Sequence, residues 1–145
     1  MHITNMKVFI SHSHKDEPLA KRIAEVLRKA GLDVWDEREI LPGDNWAEKV
    51  ATALNESNAM VVLLTAEALK SRWVQHDISF ALGENRYRKR LIPVIVGSPE
   101  KSTGTYYPWI LNRLKTIKLN ARENDEEDLK QIATALLEVS TDTTA

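Results

Sequence analysis
Short apolar runs rich in β-branched residues alternate with helically spaced apolar positions along the whole chain. Met6 to Ile10 is the first run. Leu19, Ile23, Leu27 and Ala30 then recur at a spacing that puts them on one helix face. Asp16 is a candidate N-cap for that helix, Pro18 falls in the first turn, where a missing N–H does no harm, and Gly31 is placed to end it. Asp33 to Trp35 predicts a short second strand, followed by a charged loop, Asp36 to Asn45, that holds Pro42-Gly43. Trp46, Val50 and Leu54 mark a second helix, capped by Asp44 or Asn45. Ala59 to Thr65 is continuously apolar up to its last residue, the pattern of a strand covered on both faces. Ser71 is placed to cap a third helix, with Trp73, Asp77, Ala81 and Glu84 along one side and Val74, Ile78 and Leu82 beside them. Leu91 to Val96 predicts a fourth strand and Thr116 to Leu119 a fifth. Between them lie a loop, Gly97 to Gly104, and a short helix within Tyr106 to Leu114. Leu129, Ile132, Ala133, Leu136 and Leu137 mark the last helix.

No tight-turn signal joins any two of the strands. Strands that alternate with helices need right-handed crossovers, and these give a parallel sheet. The expected architecture is α/β: a flavodoxin-like, doubly wound, five-stranded parallel sheet of order 2-1-3-4-5 with helices on both faces. Ala59–Thr65 is its central strand. Ligands of such sheets sit beyond the carboxyl ends of the strands. That draws attention to Ser11–Asp16, Asp36–Asn45, Thr65–Asp77 and Gly97–Gly104. One domain is expected over residues 6–139, with a loose start over 1–5 and a loose polar tail or linker over 140–145.

The totals remove several functions. The chain has 145 residues, 43% of them hydrophobic, which suits one domain with a real core. Twenty Lys and Arg against 21 Asp and Glu leave a formal net charge of −1. That gives no bulk attraction to nucleic acid or to acidic lipid. Without cysteine there is no disulfide, no thiol nucleophile and no thiolate metal site. No apolar run approaches the ~20 residues of a membrane span, and no signal-peptide pattern opens the chain. A cytoplasmic location is therefore expected, with no nucleic-acid or membrane partner.

Three segments resemble TIR (Toll/interleukin-1 receptor) domains of the bacterial type. Lys7 to Asp16, Lys-Val-Phe-Ile-Ser-His-Ser-His-Lys-Asp, resembles their opening box. Gly31 to Asp36 with Ile40 to Asp44 resembles their second strand and BB loop. Ser71-Arg72-Trp73, with an acid four residues later, resembles a third conserved element. The resemblance implies one of two roles. Many such domains hydrolyse or cyclise NAD, which is then a substrate and not a resident cofactor; others act only through TIR–TIR assembly. Bacterial immune signalling and antiviral defence are the implied setting, with self-association and a separate sensor or effector protein as implied partners.

The same resemblance assigns candidate residues. Enzymatic members carry Glu four residues after the Trp, where this chain has Asp77, one C–C bond or about 1.5 Å shorter. Breaking the nicotinamide–ribose bond develops positive charge on the sugar, and a carboxylate near the anomeric carbon stabilises it. Nicotinamide leaves from a cationic state, so no strong general acid is required. Asp77 is thus the catalytic candidate, against the plain reading of an acid favoured early in a helix. Glu84, two turns on, either assists or is a surface acid. Trp73 either walls the ribose pocket or packs on the sheet, Trp35 reads as core, and Trp46 as support for the loop. Ser11, His12 and Ser13 precede a helix N-terminus, which favours a pyrophosphate. Ser13 with Asp16 also fits a capping box. Asp36, Arg38, Leu41, Pro42, Gly43 and Asp44 are assigned to assembly and the pocket rim, and Pro42-Gly43 suits a turn whose second position needs positive φ. The basic run Arg86 to Arg90 reads as a charged helix end or a phosphate attractor. His12 and His14 are poorly spaced for a shared metal, and no metal site is expected.

Other nucleotide folds lack their signatures here. A response-regulator receiver needs clustered acids after the first strand, a P-loop needs Gly-x-x-x-x-Gly-Lys, and a Rossmann dehydrogenase needs a Gly-rich first turn. A nucleoside deoxyribosyltransferase shares the architecture and the use of a carboxylate, but the loop residues fit it less well.

Overall fold
The computed structural model describes residues 6–35, 43, 45–84, 87, 90–97, 116–119 and 126–141, with the side chains of residues 46 and 139–141 excepted. Five strands, β1 (Lys7–Ser11), β2 (Asp33–Val34), β3 (Ala59–Leu64), β4 (Leu91–Val96) and β5 (Ile117–Leu119), form one sheet. Its order is β2-β1-β3-β4-β5, and every pairing is parallel. This is the doubly wound, flavodoxin-like arrangement expected from the alternation of strands and helices. In register, Val8 faces Ala59, Met60 faces Leu91 and Val94 faces Ile117. All six residues of β3 and all six of β4 are buried, as covering both faces of a parallel sheet requires.

The period-2 pleat sorts β3 between two cores. Ala59, Val61 and Leu63 join Ile23 and Leu27 of α1 (Glu17–Lys29) and Ile132 and Leu136 of α4 (Glu126–Thr141). Met60, Val62 and Leu64 join Val50 and Leu54 of α2 (Trp46–Glu56) and Val74 and Ile78 of α3 (Arg72–Gly83). Within β4, Pro93 has no donor for the ladder, and pairing with β5 begins only at Val94.

Several helix ends follow from local chemistry. The Asn45 side chain accepts the Glu48 N–H at 3.2 Å, and Ser71 accepts that of Val74 at 3.3 Å. Gly31 takes φ 93° after α1, and the Leu32 N–H returns to the Leu27 carbonyl at 3.0 Å. Other details depart from the pattern. Ala30 is exposed at the C-cap of α1. Leu82 and Leu137 are exposed, whereas Ala135 is buried, because the covered stripe follows the neighbouring elements and not the mean periodicity. Helix α4 runs to Thr141, two residues beyond the expected domain edge at 139. Helix α3 stops at Gly83, and of the run Arg86–Arg90 only Tyr87 and Arg90 are among the described residues. Within that run Tyr87 is buried, and its hydroxyl donates to the Leu54 carbonyl at 2.7 Å. The helix expected within Tyr106–Leu114, the loop after Gly97 and both chain ends, 1–5 and 142–145, lie outside the described residues.

Candidate functional site
A cavity of about 410 Å³ opens beyond the carboxyl ends of β1 and β2, against the start of α3. Small-molecule sites span about 300–1,000 Å³, so it is large enough to hold one. Phe9, Ile10, Ser11 and His12 line it from β1 and the segment after it, together with His14 and Glu17. Trp35 comes from the end of β2, Val50 from α2, and Ser71, Trp73 and Asp77 from the start of α3. The doubly wound topology gathers these elements at one end of the sheet.

Asp77 is the buried acid of this cavity, only 6% exposed. The Ser11 hydroxyl, itself buried at the end of β1, donates to Asp77 Oδ2 at 2.8 Å. That bond joins two of the predicted site residues across 66 positions of chain. One turn before Asp77, Trp73 is 49% exposed, so half of its surface is left open to solvent. Its indole is a wall of the cavity. Trp35, expected in the core, is half-buried, lies flat on Phe9 with ring centroids 5.6 Å apart, and also faces the cavity. His12 is half-buried, and its Nδ1 lies 3.1 Å from the Ile10 carbonyl.

Ser13 is not among the residues that line the cavity. Its hydroxyl donates to the Asp16 carboxylate at 2.7 Å, so it does not form a side-chain capping box either. Asp16 stands at the N-cap position of α1 without a capping bond from its side chain. Glu84 follows the end of α3 and is not part of the cavity wall. Of the expected assembly loop, Gly43 is described: it is exposed with φ 94°, as the turn reading requires. Asp36, Arg38, Leu41, Pro42 and Asp44 lie outside the described residues, as does the Trp46 side chain.

Glu17 and Val50 join the site without having been singled out for it. Position alone carried a signal for Glu17, in the first turn of a helix that follows a strand's carboxyl end. Among the described residues no cluster of His, Asp and Glu has the arrangement of a metal centre.

The fold and site together define a doubly wound α/β domain with a buried carboxylate and an exposed indole sharing one pocket at the strand ends. A family model for the TIR domain matches residues 8–133, and the chain belongs to that family. It is 27% identical over 134 residues to the 2' cyclic ADP-D-ribose synthase AbTIR of Acinetobacter baumannii, covering 90% of this chain and 49% of that protein. It is 28% identical over 111 residues to the NAD(+) hydrolase PdTIR of Paracoccus denitrificans, covering 74% of this chain and 37% of that protein. The chain thus spans less than half the length of these curated relatives. Among solved structures, the TIR domain of the Toll-related receptor TRR-2 from Hydra magnipapillata superposes with a TM-score of 0.68 at 18% identity, over 92% of this chain and 97% of that one. Among the described residues no helix is long and apolar enough to cross a membrane.

Proposed function
We propose that this domain cleaves NAD at the nicotinamide–ribose bond, with Asp77 as the catalytic carboxylate. The observation that carries the reading is the Ser11–Asp77 pair, buried at the floor of a pocket walled by Trp73. The C–N bond breaks with its electron pair going to nicotinamide, which leaves neutral. Asp77 faces the positive charge that develops on the ribose, where an oriented carboxylate in a site shielded from water acts most strongly. Water then adds to the anomeric carbon and loses a proton, giving ADP-ribose; a hydroxyl of the same molecule adding instead gives a cyclic product. Trp73 and Trp35 supply flat faces for an aromatic base. The relatives named as an NAD hydrolase and a cyclic ADP-ribose synthase support the same substrate.

In the cell the proposed setting is immune signalling in the cytoplasm. Activity there rises when copies associate through the 36–44 loop, in response to a sensor or effector protein.

A second reading has one observation in its favour. Asp77 is a short acid already held by Ser11, which suits a silent pocket and a domain used only for assembly. Nicotinamide release by concentrated, clustered protein separates the two. Asp77→Asn, which keeps the shape, should cut release by at least ~100-fold, because the charge opposite the forming cation is gone. If the native chain is silent and Asp77→Glu restores release, the assembly reading holds.

A further inference from the structure
The hydroxyl–carboxylate contacts beside the pocket close into a ring. Ser11, the last residue of β1, donates to Asp77 of α3. Two residues on, Ser13 donates to Asp16 Oδ2 at 2.7 Å, and Thr65, just past β3, donates to the same oxygen at 2.5 Å. The Thr65 oxygen in turn accepts the N–H of Ala68 at 3.1 Å. Ala68 begins a single 3-10 turn, Ala68–Lys70, that leads into Ser71, the N-cap of α3. Helix α3 returns the chain to Asp77.

Ser13, Asp16 and Thr65 are all buried, and none of them lines the cavity. A buried acid is costly unless its oxygens are satisfied, and a carboxylate oxygen can accept two hydroxyl donors at once. The ladder between β1 and β3 reaches Ser11, opposite Val62. The Asp16 contacts carry the tie between the two segments past that rung, to where the site residues sit.

We propose that Asp16 is a positioning residue: one carboxylate oxygen, shared by Ser13 and Thr65, locks the segment after β1 to the turn after β3 and thereby sets Ser11 against Asp77. This rests on Asp77 being the reacting carboxylate. Thr65→Val removes the hydroxyl at nearly constant shape, and Thr65→Ser restores it. In clustered protein, Thr65→Val should lower kcat for nicotinamide release by ~10-fold or more with KM nearly unchanged, since small misplacements cost rate steeply. Thr65→Ser should recover most of it. Independently of activity, thermal unfolding of Ser11→Ala, Thr65→Val and the double variant should show a combined Tm loss smaller than the sum of the single losses, as expected for groups in one network. If Thr65→Val does not fold, Ser13→Ala opens the ring on its other side. A wild-type kcat in a folded variant, or additive Tm losses, overturns the assignment. If the native chain releases no nicotinamide at all, the NAD reading fails, and the unfolding series alone then decides whether the ring is a single tie.

Discussion
Taking the Ser11 hydroxyl away removes a donor from a buried carboxylate, and hydrogen bonds to charged groups are worth about 1.5–3 kcal/mol. Ser11→Ala should therefore lower Tm measurably in a calorimetric scan and slow nicotinamide release together, two effects with one cause. Trp73 behaves oppositely. Half of its surface already meets solvent, so Trp73→Ala should shift stability by less than about 1 kcal/mol while raising KM for NAD through loss of the indole wall. Initial-rate kinetics beside an unfolding curve separate the two variants. Gly43 belongs to a third kind: at φ 94°, with open space where a Cβ would lie, its replacement strains only the backbone, by about 1–2 kcal/mol. Gly43→Ala should leave the far-UV spectrum unchanged and weaken association in light scattering. At this scale the sequence was legible where neighbours in the chain decide the outcome, as with the Asn45 and Ser71 caps. It was not legible where a partner comes from far away. Ser13 and Asp16 have capping-box spacing, yet Thr65, 49 residues on, helps to hold the acid. Trp35 looks like core until Phe9 and the open strand end are seen beside it.

Among the elements, strands fully buried in the sheet were easiest to read, because covering both faces leaves no polar position to blur the run. The six residues Leu91–Val96 coincide with the expected strand despite Pro93, and β3 falls one residue short of its expected end. Helix faces were read less well where a neighbour outside the helix shifts the buried stripe, as at Ala135 and Leu137. Tyr87 was hidden inside a basic run, although its hydroxyl reaches the carbonyl of Leu54 in α2. One contact between elements gives a pH test. The Lys29 ammonium, in the last turn of α1, lies 3.0 Å from Glu126 in the first turn of α4. Its hydrogen bond, and then its charge, hold the Glu126 carboxyl below its ordinary 4.5. A depressed carboxylate stabilises the fold above the ordinary value, and that contribution fades as pH falls through the depressed one. Both groups are exposed, so the effect on stability is small. A carboxyl NMR titration should nevertheless place the Glu126 midpoint below 4.5, and Lys29→Ala should return it toward that value.

At the scale of the whole molecule, β3 is the middle strand of five and belongs to both cores. Amides of Met60–Leu64 should accordingly exchange with solvent only on global unfolding, whereas those in the first turn of α2 should exchange through smaller openings. Hydrogen–deuterium exchange followed by mass spectrometry would map the difference. Both faces of the sheet reach the pocket, Ile10 from the core under α1 and α4 and Phe9 and Val50 from the other, but the deeper layer under α1 and α4 stays clear of it. Phe9 and Val50, which help to line the pocket, belong to the core under α2 and α3, while α1 and α4 press on the other side. A lineage of such chains therefore has a reservoir of neutral change. Volume-conserving swaps among Ile23, Leu27, Ile132 and Leu136 should alter how much protein accumulates without altering turnover per folded molecule. Substitutions at Phe9, Ile10 and Val50 should alter both. A saturation-mutagenesis library scored once for abundance and once for nicotinamide release would show that split as two populations, the pocket-lining Phe9, Ile10 and Val50 in one and Ile23, Leu27, Ile132 and Leu136 in the other.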